Sequence, residues 1–161
     1  MVFGIGMSSK KRVAMRVRCI NNVVGNIDDS DVRDRIRRSI HLEGPITDLL
    51  IVGEYEVQAL EKRDGGLWFY LHSVPANDYP YPYPAELFEV SDSALPAKWN
   101  ICIQKQGGNV VWRRIAFLAW ASDDLFYERL VDGDKETISI YKSEMLRPSA
   151  NSTCLDNRSV K

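Results

Sequence analysis

Few residues in this chain have the type and spacing that a reaction needs. His41 and His72 have no serine or cysteine nucleophile beside them in a recognisable motif, and the chain has no G-x-S-x-G elbow and no phosphate-cradling P-loop. Asp132-Gly133-Asp134 has the outline of a metal loop but lacks the run of oxygen ligands and the closing glutamate of an EF-hand. Helix caps on either side of a turn are its plainer reading. Cys19, Cys102 and Cys154 lie far apart without a C-x-x-C pair, which reads as reduced structural thiols. The pattern predicts no catalytic set, no metal and no cofactor. The chain is expected to bind, not to react.

Four groups of residues stand out for binding. Tyr79, Tyr81 and Tyr83 alternate with Pro80, Pro82 and Pro84. Such a strip is stiff, and it either offers tyrosine area as a docking surface or crosses the end of a barrel as rigid packing. Trp68, Phe69 and Tyr70 on one strand put rings on both of its faces, one for the core and one able to join the tyrosine strip. The carboxy half gathers Asp123, Asp124, Glu128, Asp132, Asp134 and Glu136. Beyond capping helices, these carboxylates suit a surface that covers a basic groove on a nuclease. The amino half is basic instead: Lys10, Lys11, Arg12, Arg16 and Arg18 have no acid among the first 20 residues, and Arg33, Arg35, Arg37 and Arg38 follow. Local pairing with Asp31 and Asp34 accounts for the latter, and contact with nucleic-acid phosphates is the alternative.

Hydrophobic periodicity supplies the elements that must hold these residues. Val13, Met15, Val17 and Cys19 alternate with Arg16 and Arg18, a strand at 12–20. Asp28-Asp29-Ser30-Asp31 caps a helix at 31–42 whose stripe is Val32, Ile36 and Ile40, stopped by Gly44-Pro45. Glu54–Leu60 alternates, Arg63-Asp64-Gly65-Gly66 turns, and Leu67–His72 returns as a third strand. The three prolines forbid a central strand at 78–84. Ala85–Val90 is then a last strand, or one helical turn followed by a strand. Residues 98–113 read as a hairpin around Gly107-Gly108-Asn109. From Ile115 the period lengthens through Leu118 and Ala121, predicting a helix that breaks near Ser122, and Lys135–Leu146 predicts another. Residues 1–11 and 148–161 read as flexible tails, with Met1, Met7 and Met15 as alternative starts.

A chain of 161 residues and 18.4 kDa is one ordinary domain or two very small ones. Its 45% hydrophobic and 27% charged residues are a globular composition. Lys+Arg at 21 against Asp+Glu at 22 excludes a chain-wide basic footprint. No stretch approaches the ~18 apolar residues of a membrane span. The basic residues follow the apolar start instead of preceding it, the wrong order for secretion. The expected compartment is the cytoplasm.

Residues 13–90 resemble the small SH3-like β-barrels of bacterial and phage proteins. The matching pieces are Arg16-Val17-Arg18-Cys19-Ile20, then Val52-Gly53-Glu54-Tyr55-Glu56-Val57 after a long loop, the Asp64-Gly65-Gly66 turn into Leu67-Trp68-Phe69-Tyr70, and Tyr83–Val90. The resemblance implies a barrel at 12–90 with an inserted helix; with the hairpin and helices read at 98–146 packed on it, the chain is expected to be an α+β protein. The chain has no acidic, aromatic motif after the first strand, so the resemblance does not extend to proline-rich peptide recognition. The expected function is a non-catalytic binding protein, most concretely an immunity protein that occludes a toxin domain through Tyr79, Tyr81, Tyr83, Trp68, Asp123, Asp124, Asp132 and Asp134. The alternative is a nucleic-acid-associated module using Arg16, Arg18, Arg33, Arg37 and Arg38.

Overall fold

The computed structural model of the protein describes residues 13–75 and 77–146; the predicted tails at 1–11 and 148–161 lie outside the described residues. The fold is α+β. Its strands are β1 (Arg16–Cys19), β2 (Glu54–Arg63), β3 (Gly66–Leu71), β4 (Tyr81–Pro84), β5 (Phe88–Asp92), β6 (Trp99–Gln106) and β7 (Asn109–Phe117). Its helices are α1 (Ser30–Arg37), α2 (Leu118–Ala121), α3 (Phe126–Val131) and α4 (Lys135–Leu146), with 3₁₀ turns at Val24–Asn26 and Ala85–Leu87. Among the described residues no helix is long and apolar enough to cross a membrane.

The strands form one antiparallel sheet in the order β4-β3-β2-β1-β5. Residues 16–19 of the predicted first strand form β1, with β2 on one side and β5 on the other, and Val17 and Cys19 are fully buried there. In the long loop that follows, the Asp29 carboxylate accepts from the Asp31 and Val32 N–H groups and starts α1. The helix ends at Arg37, earlier than its sequence period predicts. Ile36 is fully buried, but beyond it Ile40 is half-buried and His41 and Leu42 are exposed. A further turn would have nothing to pack against, and packing is what sustains a short helix.

The β2–β3 turn follows its sequence signal. Asp64 and Gly65 both adopt positive φ, 51° and 77°, the requirement of a two-residue hairpin turn whose twist matches its strands. At Gly66 the Arg35 guanidinium, ion-paired with Glu86, packs where a Cβ would stand, so a side chain there would have to displace the arginine.

The prolines of β4 decide the shape of the sheet. Tyr81 and Tyr83 pair with Leu71 and Phe69, so the intervening Pro82 and Pro84 fall where an N–H would point away from β3. The outer edge of β4 therefore lacks donors and cannot take another strand. The predicted closed barrel is corrected accordingly. The sheet is open, with β4 and β5 at its two ends, and the chain passes between them through the Ala85–Leu87 turn.

β2 is the branch point. Its first residues pair with β1, and further along Leu60 and Glu61 pair with Ile115 and Arg114 of β7. The predicted helical period from Ile115 is also corrected. β7 runs through Phe117, α2 is a single turn, and the Ser122 hydroxyl donates to the Leu118 carbonyl (2.7 Å) where that turn ends. Two cores flank the branched sheet. Val57, Leu60, Phe69 and Leu71 join Val17, Ile36, Leu49, Leu87 and Phe88 in the first. Ala59 and Tyr70 join Phe117, Trp120, Phe126, Leu130 and Tyr141 in the second. The second core is largely aromatic, with the Trp120 and Tyr127 rings stacked at 5.8 Å and Tyr70 edge-on to Trp120 at 5.0 Å.

Candidate functional site

The structure uses many of the residues that the sequence singles out for binding inside the fold. Trp68 is 1% exposed, and Tyr83 is buried with its hydroxyl 2.6 Å from Ser73 Oγ. Tyr79 and Tyr81 are half-buried and meet edge to face at 5.3 Å. The Asp123 carboxylate binds Arg129 and the Leu125 N–H, and its pKa is lowered mainly by the Arg129 bond. Asp134 caps α4 through the Thr137 hydroxyl (2.7 Å) and N–H (3.0 Å), which lower its pKa. Asp124 reaches Arg113 (3.3 Å) and Arg114 (3.4 Å), while Asp132 stands exposed.

The arginines divide in the same way. Arg18 pairs with Glu89 at 3.1 Å, and Arg33 donates to the Ile27 carbonyl at 2.7 Å. Arg16 is half-buried on β1, and Arg37 and Arg38 are exposed at the end of α1. None of these predicted residues lines either of two large clefts among the described residues.

The first cleft follows from the topology. β2 and β7 pair at two positions only and then diverge toward their own hairpin turns. The wedge between them encloses about 620 Å³. Lys62 and Arg63 extend from β2 into this region, and Trp112 and Arg113 approach it from β7. Arg113 is the extra residue of a β-bulge, since Cys102 pairs with Arg114 and Ile103 with Trp112. Lys62 Nζ sits 4.2 Å from the Trp112 ring centre and the Arg63 guanidinium 4.5 Å from that of Trp68. Asp64 is the one acid among the lining residues.

At the apex of the wedge is a buried ionic joint. Arg114 Nε donates to Glu61 at 3.0 Å, and Nη1 donates to the Trp120 carbonyl at 3.3 Å and to Asp124. Burial opposes the charge on Arg114, but the Glu61 bond and the two carboxylates outweigh it and raise the guanidinium's pKa. Tyr70 nearby is pushed up to about 12, by burial first and then by the Glu61 charge.

The second cleft, about 580 Å³, lies between the start of β2, the loop after β3 and α4. His72 Nε2 is 2.5 Å from the Tyr141 hydroxyl there. Burial lowers the His72 pKa, against the Asn77 backbone and Glu56, so the ring is neutral at pH 7. No serine or cysteine lines this cleft. Among the described residues there is no group of three His, Cys, Asp or Glu side chains that could hold a metal.

One exposed apolar surface is not marked by the sequence. On the β6–β7 hairpin Ile101, Ile103 and Val110 are 57%, 62% and 66% exposed. The outer edge of β6 has no strand beside it among the described residues. Period two in Ile101 and Ile103 reads as an inward face, and only the docking of β7 on β2 shows that the hairpin projects outward. A second apolar exposure is the Leu50-Ile51-Val52 turn, where Val52 holds a φ of 60°. Compared with family models, curated proteins and solved structures, the chain matches none.

Proposed function

We propose that the protein is a non-catalytic binding protein that occludes a cognate toxin domain in the manner of an immunity protein, with the β6–β7 hairpin as its contact surface. The observation that carries this reading is the outer edge of β6. It runs eight residues, has a single charge at Lys105, and is accompanied by exposed Ile101, Ile103 and Val110. Proteins blunt such edges with charge, proline or cover unless something pairs there. An added strand would gain main-chain hydrogen bonds from the edge and specificity from the isoleucines. The strand order β4-β3-β2-β1-β5, with a 3₁₀ turn before β5, supports reading residues 13–90 as an SH3-like unit that carries this hairpin.

The test is affinity capture of the tagged protein from its own cells, with and without nuclease, beside an Ile101→Asp/Ile103→Asp variant. A single protein partner should survive nuclease treatment. The variant should bind that partner at least about thirty-fold more weakly, the scale of losing a hot spot. Both side chains are exposed, so thermal unfolding should be unchanged. A partner that the variant binds as tightly as the native protein would refute the assignment.

A further inference from the structure

The wedge between β2 and β7 carries a second binding function, separate from the outer edge of β6. We infer that it is a groove for single-stranded nucleic acid, with Lys62, Arg63 and Arg113 on the phosphates and Trp112 as a stacking platform. Three cations and one acid, Asp64, line a cleft of about 620 Å³ in a protein whose formal charge is −1. The positive charge is thus local to the wedge and is not a property of the chain. Each cation is held ready by a neighbour: Lys62 by the Trp112 ring, Arg63 by the buried Trp68 ring, and Arg113 by Asp124 at 3.3 Å. Little side-chain freedom then remains to be lost when a phosphate arrives.

Trp112 distinguishes a nucleic acid from other anions. Its ring is half-buried in the wedge, with one face under Lys62. A base displacing the ammonium keeps a partner on the ring and frees the lysine for the adjacent phosphate. Gln104 and Gln106 add amide donors and acceptors at the same wall. An acidic peptide would satisfy the cations but offer nothing to the indole face. A duplex needs a broader basic footprint than three side chains provide.

The experiment is fluorescence anisotropy of the full chain with a labelled oligouridine of about ten nucleotides, between about 50 and 200 mM salt. Three phosphate contacts on a single strand give a log–log salt slope of about −2. Lys62→Ala/Arg113→Ala should flatten the slope to about −0.7, and Trp112→Ala should weaken binding about ten-fold or more. Arg18→Ala, on β1 where that strand pairs with the opposite end of β2 and with β5, should bind as the native protein does. Photo-crosslinking of the oligouridine to the unmutated protein, mapped by mass spectrometry, should place the adduct on Trp112 or its neighbours in β7. This readout does not depend on any variant folding. Absence of saturable binding at the lowest salt, adducts confined to other segments, or equal displacement by polyglutamate would each overturn the inference. The Ile101→Asp/Ile103→Asp variant should keep its oligouridine affinity, so failure of the groove and failure of the hairpin reading are separate results.

Discussion

Removing Arg114 should be among the most damaging single changes in this protein, and the structure says how the damage can be undone. The Arg114 and Glu61 side chains are 4% and 11% exposed and 3.0 Å apart. Arg114→Met leaves the Glu61 carboxylate buried without its partner, which costs about 3–5 kcal/mol. Against a typical stability of about 5–15 kcal/mol, that is a large share. It corresponds to a fall in Tm of about 6–20 °C for a chain of this size. Replacing both residues, as Glu61→Met/Arg114→Met, removes the stranded charge. It also orphans little else. The Trp120 carbonyl keeps the Asp123 N–H at 3.3 Å, and Asp124, 60% exposed, can turn to water. The double variant should therefore return to within about 2 kcal/mol of the native protein, because a buried pair is rarely better than apolar residues of similar volume. Urea denaturation of the four proteins at constant m-value measures the coupling directly. If the two single losses simply add, or if Arg114→Met costs under about 1 kcal/mol, Glu61–Arg114 is not the joint between the hairpins.

Two further outcomes follow from local geometry. Val52 holds a left-handed conformation that a β-branched residue tolerates poorly, so Val52→Gly should stabilise the fold by about 1 kcal/mol, read as a higher urea midpoint; a lower midpoint contradicts the strain. His72 has a lowered pKa in the fold, so the unfolded chain binds a proton more readily. Its contribution to stability is present above about pH 6.5 and is lost as the pH falls through the lower folded value. The urea midpoint of the native protein should therefore fall between about pH 7 and 5, His72→Gln should flatten that fall, and an unchanged profile would remove His72 as its source.

What the sequence made legible was local. The Asp64-Gly65 and Gly107-Gly108 turns lie where their glycines place them, and both turns use positive φ. The prolines excluded 78–84 from the centre of the sheet, and β4 is an edge strand. The misread segment is just as instructive. Ala116 and Phe117 are consecutive and both buried, so β7 ends without alternation and imitates a helical face. The site suffers from the same limit at longer range. A carboxylate such as Asp134 or Asp123 looks available in one dimension until its cap or arginine is found a few residues away. Glu61 and Arg114 are 53 residues apart and meet only because β7 docks on β2. The wedge is a product of that docking, and no periodicity within either hairpin announces it.

The branching at β2 also sets an order in time. The β2–β3 and β6–β7 hairpins join neighbours in sequence and can form as soon as each has left the ribosome, on the scale of about microseconds. β1 emerges first, but its outer partner is β5, which pairs Asp92 with Arg16, and the loop between them must close late. Until then Val17 and Cys19 have no cover on that side, and a half-made chain exposes two residues that the finished protein buries fully. β1 is thus secured on that side only once β5 has been made, and slow synthesis or a stalled chain before that point would leave it open to pairing with another molecule.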